Sequence, residues 1–123
     1  MVNYYIAKHN SELTPILKVK WCRSFFSRFL GLMFRSSLPE GEGILLDQGR
    51  DSRVDSSIHM FFMRFDIAAI WVSSAGVVVD KCLARRWRPI YLPRKAARYV
   101  LEANPSLLKA IDIDDQLVFN EIM

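Results

Sequence analysis

The side chains with the most chemical potential lie in and around one apolar run, Ile58-His59-Met60-Phe61-Phe62-Met63-Arg64. An imidazole beside two thioethers could hold a soft ion such as Cu(I). Methionines in apolar runs, however, usually fill gaps in a core, and a histidine there more often serves a structural hydrogen bond. Arg64 follows Phe61-Phe62-Met63, and Arg35 follows Leu32-Met33-Phe34, so each guanidinium sits at the edge of an apolar segment. Burying an unpaired guanidinium is costly. Arg35, His59 and Arg64 are therefore the candidate ligand-binding site, expected to form an anion pocket. His59 and Arg64 have opposite parity on a regular strand, so sharing a site requires a bulge or bend between them. The competing arrangement pairs each arginine locally, for instance with Glu102 or Asp66, and leaves His59 on a carbonyl.

A second constellation is basic. From Lys81 to Arg98 there are seven basic residues and no acid, and from Asp112 to Glu121 four acids and no base. Arg85, Arg86, Trp87, Arg88, Arg94, Lys95 and Arg98 interleave charge with aromatic surface, which suits single-stranded nucleic acid bound by phosphate neutralisation and stacking. The rival is a solvated loop anchored by a buried Trp87, its arginines meeting the acidic C-terminal strand.

Other chemistry finds little footing. No nucleophile elbow accompanies His59, although Asp55 and Ser57 are near it in sequence. Gly41-Glu42-Gly43 is too short for a phosphate loop, and no dinucleotide or Walker pattern occurs. Cys22 and Cys82 are isolated in apolar stretches, so neither a disulfide framework nor a zinc site is expected. The sequence predicts no cofactor, no metal and no catalytic residues. Its expected role is a small binding module for an anion, a peptide or a protein; nucleic-acid binding and a hydrolase-type activity are the alternatives.

The elements that must position these groups are mostly strands. The 123 residues, 51% apolar and 24% charged, match one ordinary globular domain spanning 1–123. Val2–Ala7 is β-prone, and Ile16–Trp21 alternates with Leu17, Val19 and Trp21 on one face. Ser24 to Leu30 reads as a short helix closed by Gly31. Strands follow at Ile44–Leu46, Ile58–Met63, Ile67–Val72 and Val77–Leu83, the last two joined by a turn at Ser73–Gly76. Gln48–Ser57 reads as an exposed loop. Arg85–Lys95 carries Pro89 and Pro93 and must be extended or looped. Arg98–Glu102 fits helix or strand by pattern alone and is read as a strand, Pro105–Ile111 as a helix and Gln116–Phe119 as the last strand. The predicted fold class is mainly β (α+β): one curved, chiefly antiparallel, barrel-like sheet with two short helices. Trp21, Phe26, Phe61 and Trp71 are the expected aromatic core.

Three segments resemble one family, in its order: Gly31-Leu32-Met33-Phe34-Arg35, Ser57 through Phe65, and Ala97-Arg98-Tyr99-Val100-Leu101-Glu102. With the hairpin at Gly76 and the closing strand after Asp115, they resemble the domain of unknown function 192 over residues 14–119. The resemblance implies a chiefly antiparallel β fold with short helices and no assigned activity. Where the family reads proline, isoleucine, aspartate, this chain has Asp66-Ile67-Ala68, so a carboxylate is missing at Ala68. Asn104-Pro105-Ser106 and Asp114 also replace positions that commonly carry glycine.

The N-terminal residues show neither a basic n-region nor an apolar h-region, and the least charged stretch, Phe65 to Val79, is too short to span a bilayer. A cytoplasmic protein is expected, monomeric or weakly dimeric, with no membrane contact and an unassigned small ligand or protein as partner.

Overall fold

Alternation sets the first long strand. In Pro15–Cys22 (β2), Leu17 and Val19 are buried while Lys18 and Lys20 are exposed, as a one-sided strand requires. The computed structural model, which describes residues 3–8, 15–23, 32 and 35–121, builds a mainly β architecture around it. Asn3–Lys8 (β1) precedes β2. Glu42–Ser52 (β3), Ile67–Val72 (β4), Val78–Ala84 (β5), Ala97–Ala103 (β6), the single turn of helix Leu107–Ala110 (α1) and Leu117–Glu121 (β7) follow.

The seven strands form one mixed sheet in the order β5-β4-β6-β3-β2-β1-β7. All pairs are antiparallel except β2 with β3. The long connection over 23–41 permits that parallel pair, since parallel neighbours need a crossover and cannot be joined by a tight turn. The edge strands approach each other at one bridge, Val77 to Gln116. Gly76, with φ of +85°, makes the turn leading to this corner and accepts the Leu117 amide at 2.8 Å. One bridge is not a ladder. The sheet is open rather than closed into a barrel, which corrects the barrel-like expectation.

Two apolar layers cover the sheet. The first joins Leu17, Val19, Leu45, Ile70 and Leu101 to Leu107 and Ile111 around α1. The second joins Ile44, Leu46, Ala69, Trp71 and Val100 to Leu38, Ile58, Met60 and Met63. β4 feeds both and is buried at all six positions, as its unbroken apolar sequence demands.

Several expectations change. Ile58–Met63 is not a strand: only Ile58 makes a bridge, to Tyr91, and the chain then turns. Phe61 is exposed rather than in the core. Trp71 is fully buried, and Trp21 is partly buried against the first layer. β3 runs on to Ser52, through polar residues expected to loop, because Asp47 and Ser52 still pair with Tyr99 and Ala97 on β6. Of the two predicted helices, α1 alone falls among the described residues; Ser24–Leu30 and Phe26 lie outside them.

Candidate functional site: a double loop of aromatics and arginines

The Met60–Met63 turn begins the site. The Met63 amide donates to the Met60 carbonyl at 3.3 Å, placing Phe62 at the third turn position with φ of +63°. A second turn has the same form: the Arg88 amide donates to the Arg85 carbonyl at 3.3 Å, and Trp87 at its third position has φ of +67°. Turns with positive φ there normally take glycine or asparagine. A bulky residue in that conformation costs on the order of 1–3 kcal/mol.

The two turns are locked together by main chain. The Trp87 amide donates to the Met60 carbonyl at 2.7 Å, and the Met60 amide to the Arg88 carbonyl at 3.0 Å. Ile58 and Tyr91 exchange both backbone bonds, at 3.0 and 2.9 Å. The Arg85 amide donates to the Tyr91 hydroxyl, and the Arg86 amide to Asp66 Oδ1, each at 2.9 Å. Beneath, Met60 and Met63 are buried in the second layer. Farther along, Trp71 Nε1 donates to the Ser56 carbonyl at 2.7 Å, tying the preceding loop to β4.

The outer face is apolar and cationic. Phe62 and Trp87 meet edge to face, 5.3 Å between centroids, yet remain 47% and 55% exposed. Phe61, Ile90 and Leu92 are exposed in the same two segments. Arg64, Arg85, Arg86 and Arg88 are all exposed, and none forms an ion pair among the described residues. Arg88 lies 5.0 Å over the Tyr91 ring. His59 is half-buried, with its Nδ1 inside and its ring 5.8 Å from Phe61.

The candidate residues therefore fall into groups. His59 and Arg64 belong to the first turn segment, and the chain bends between them. Arg35 is exposed on a separate segment, its amide donating to Leu32 at 3.3 Å. Arg85, Arg86, Trp87 and Arg88 form the second turn. Arg94 and Arg98 are engaged with acids: Arg94 Nε lies 3.4 Å from Asp80, and Arg98 Nε donates to Asp47 at 2.9 Å. Lys95 is exposed. Trp87 is not a buried anchor, which corrects that rival reading. The arginines meet Asp47 and Asp80 rather than the C-terminal acids; it is Lys81 that reaches Asp112, at 3.4 Å.

Two features escaped the sequence reading. One is the exposed Phe61–Phe62 pair, assigned to a core strand although the run ends abruptly at Arg64. The other is Glu102, a carboxylate buried on β6 between Ile44 and Ala69. Burial pushes its pKa up to about 7. Asp47 behaves oppositely: burial would raise it, but hydrogen bonds from Arg98, the Gly49 amide and Trp21 outweigh that and hold it below the usual carboxylate range. Burial and the neighbouring Asp80 push the Cys82 thiol to about 11, so it is a poor nucleophile at neutral pH. Among the described residues no three His, Cys, Asp or Glu side chains converge as metal ligands. No described helix is long and apolar enough to cross a membrane.

Comparison with known proteins agrees with this architecture. A computed match to DUF192, described as "Uncharacterized ACR", covers residues 5–119. A UPF0127 protein of Thermococcus gammatolerans is 40% identical over 97 residues, 79% of this chain and 61% of the relative. One from Pyrococcus furiosus is 30% identical over 109 residues, 87% of this chain and 90% of the relative. The chain thus spans about three-fifths of the Thermococcus gammatolerans relative and most of the Pyrococcus one. Among solved structures, a protein of Sinorhizobium meliloti provisionally named a transcription regulator superposes with a TM-score of 0.82 at 20% identity, covering 96% of this chain and 92% of that one. A protein of unknown function from Novosphingobium aromaticivorans gives 0.79 at 17%, covering 95% and 84%. These likenesses assign the fold and no function. With nearly the whole length matched by the family, the chain belongs to the domain of unknown function 192 family.

Proposed function

We propose that this protein is a non-catalytic binding module whose contact surface is the double loop of residues 58–64 and 85–92. The observation that carries this reading is the Phe62–Trp87 pair. Each ring stands where glycine would be cheaper and is left about half exposed, so neither backbone economy nor core burial accounts for it. Strain kept at a solvent-facing position points to use by a ligand. His59 lies beside the same surface, and Arg64, Arg85, Arg86 and Arg88 give it positive charge, so the ligand combines apolar groups with negative charge.

Nucleic acid remains the second reading, favoured by the four arginines beside an exposed tryptophan. Anilinonaphthalene sulfonate, an aromatic anion, tests for the surface without presupposing its partner. Its fluorescence should rise on the native protein and fall several-fold with Trp87→Ser or Phe62→Ser. Equal enhancement by both variants and the native chain refutes this location.

A further inference from the structure

We infer that the occupant of this surface is an acidic protein segment carrying bulky apolar side chains, a conclusion that rests on the double loop being the contact site. Its composition is that of a protein interface. The fixed positive charges are all arginine, with no lysine in 58–66 or 85–92, and the only acid there is Asp66, which accepts the Arg86 amide. Interfaces enrich aromatic residues and arginine and deplete lysine and acids, and energetic anchors are most often tryptophan, tyrosine or arginine.

The geometry separates this occupant from others. Single-stranded nucleic acid wants ring faces on which successive bases stack. Here the two rings meet edge to face at 62°, and the remaining exposed apolar groups include the aliphatic Ile90 and Leu92, which offer no stacking. A second copy presenting the same surface would bring four arginines against four. An acidic segment with leucine or phenylalanine side chains satisfies both features: its carboxylates meet Arg64, Arg85, Arg86 and Arg88, and its apolar side chains pack around Phe62 and Trp87. Bidentate pairing with carboxylates is what the planar guanidinium does better than lysine.

The test uses the full chain and a fluorescein-labelled peptide alternating glutamate with leucine and phenylalanine. The control arms are the same peptide with serine for its apolar residues, an oligothymidylate of matched charge, and phosphatidylglycerol vesicles. Phe62→Gly and Trp87→Gly are the informative variants, because glycine restores the preferred turn residue and leaves the fold intact. The apolar acidic peptide should bind, weaken with salt, and lose at least about tenfold in affinity with either variant, while the serine peptide binds at least tenfold more weakly. Tighter binding of the oligothymidylate or the vesicles than of the peptide overturns the assignment. Absence of peptide binding also overturns it. Persisting Trp87-dependent dye fluorescence in that case leaves the surface standing and removes only the partner class, whereas loss of both removes the surface.

Discussion

Replacing Glu102 with glutamine isolates the proton chemistry of the buried carboxylate. Glu102 lies between Ile44 and Ala69 on the sheet face covered by the second apolar layer. Burial pushes its pKa from the usual 4.5 to about 7. The folded chain therefore keeps a proton that the unfolded chain releases. Between pH 4.5 and about 7 the native state binds more protons, so stability declines as pH rises through that window. Each pH unit is worth about 1.4 kcal/mol, which makes the full decline roughly 3 kcal/mol, reached near pH 7 and constant above it.

Glu102→Gln removes this slope because its amide does not titrate. Urea unfolding of both proteins from pH 4 to 8 gives the difference directly, and every other titrating group cancels in it. Asp47 and Asp115 in particular, both held below the usual carboxylate range, act at more acid pH and leave this window flat. Relative to the native chain, the variant should gain about 3 kcal/mol between pH 4.5 and 7. A difference that stays constant across the range refutes a buried, proton-retaining Glu102.

Three further outcomes follow from the same geometry. Asp47→Ala should cost about 2–3 kcal/mol in denaturant unfolding, since it leaves Trp21 Nε1, the Gly49 amide and Arg98 without the carboxylate they share; Asp47→Asn should instead blunt the loss of stability below about pH 4, where the unfolded chain takes up a proton that the native carboxylate, held below its usual range, does not. Gly43→Val should destabilise by at least about 2 kcal/mol, because even a Cβ there would stand 2.5 Å from the Glu102 carbonyl and force β3 from β6; an unchanged melting midpoint contradicts that close approach. Trp71→Phe removes the donor to the Ser56 carbonyl, and amide exchange should accelerate in residues 53–57 ahead of the sheet.

What the sequence disclosed depended on whether the deciding interaction was local. β4 could be read because an apolar run buried on both faces leaves its mark in consecutive residues, and β2 because alternation does. The neighbouring run Ile58–Met63 has the same composition, yet it turns. The difference lies in main-chain bonds from Met60 to Trp87 and Arg88, over twenty residues away. The parallel contact of β2 with β3 left no local trace, and neither did the extension of β3 through Asp47, whose polarity is satisfied by Arg98 across the sheet. For the same reason the basic run looked uniform. Its members separate only when Asp80 and Asp47 claim Arg94 and Arg98 and leave the arginines of the turns facing solvent.

The alanine at position 68 bears on where function can reside. Ala68 is wholly buried in the first layer, opposite Leu83 and Ala103, so a carboxylate there would project toward the α1 side of the sheet. The double loop covers the other side, with Met60 and Met63 packed beside Ile44, Ala69 and Val100. Alternation along β6 puts Glu102 on that second side with Val100, beneath the layer to which the loop methionines belong. The departure at Ala68 therefore leaves the aromatic–arginine surface untouched. The division is physical: the sheet takes its stability from burial on two faces, and the strained turns, tied to each other by main-chain bonds and seated on Met60 and Met63, carry exposed rings and charges that the sheet does not need.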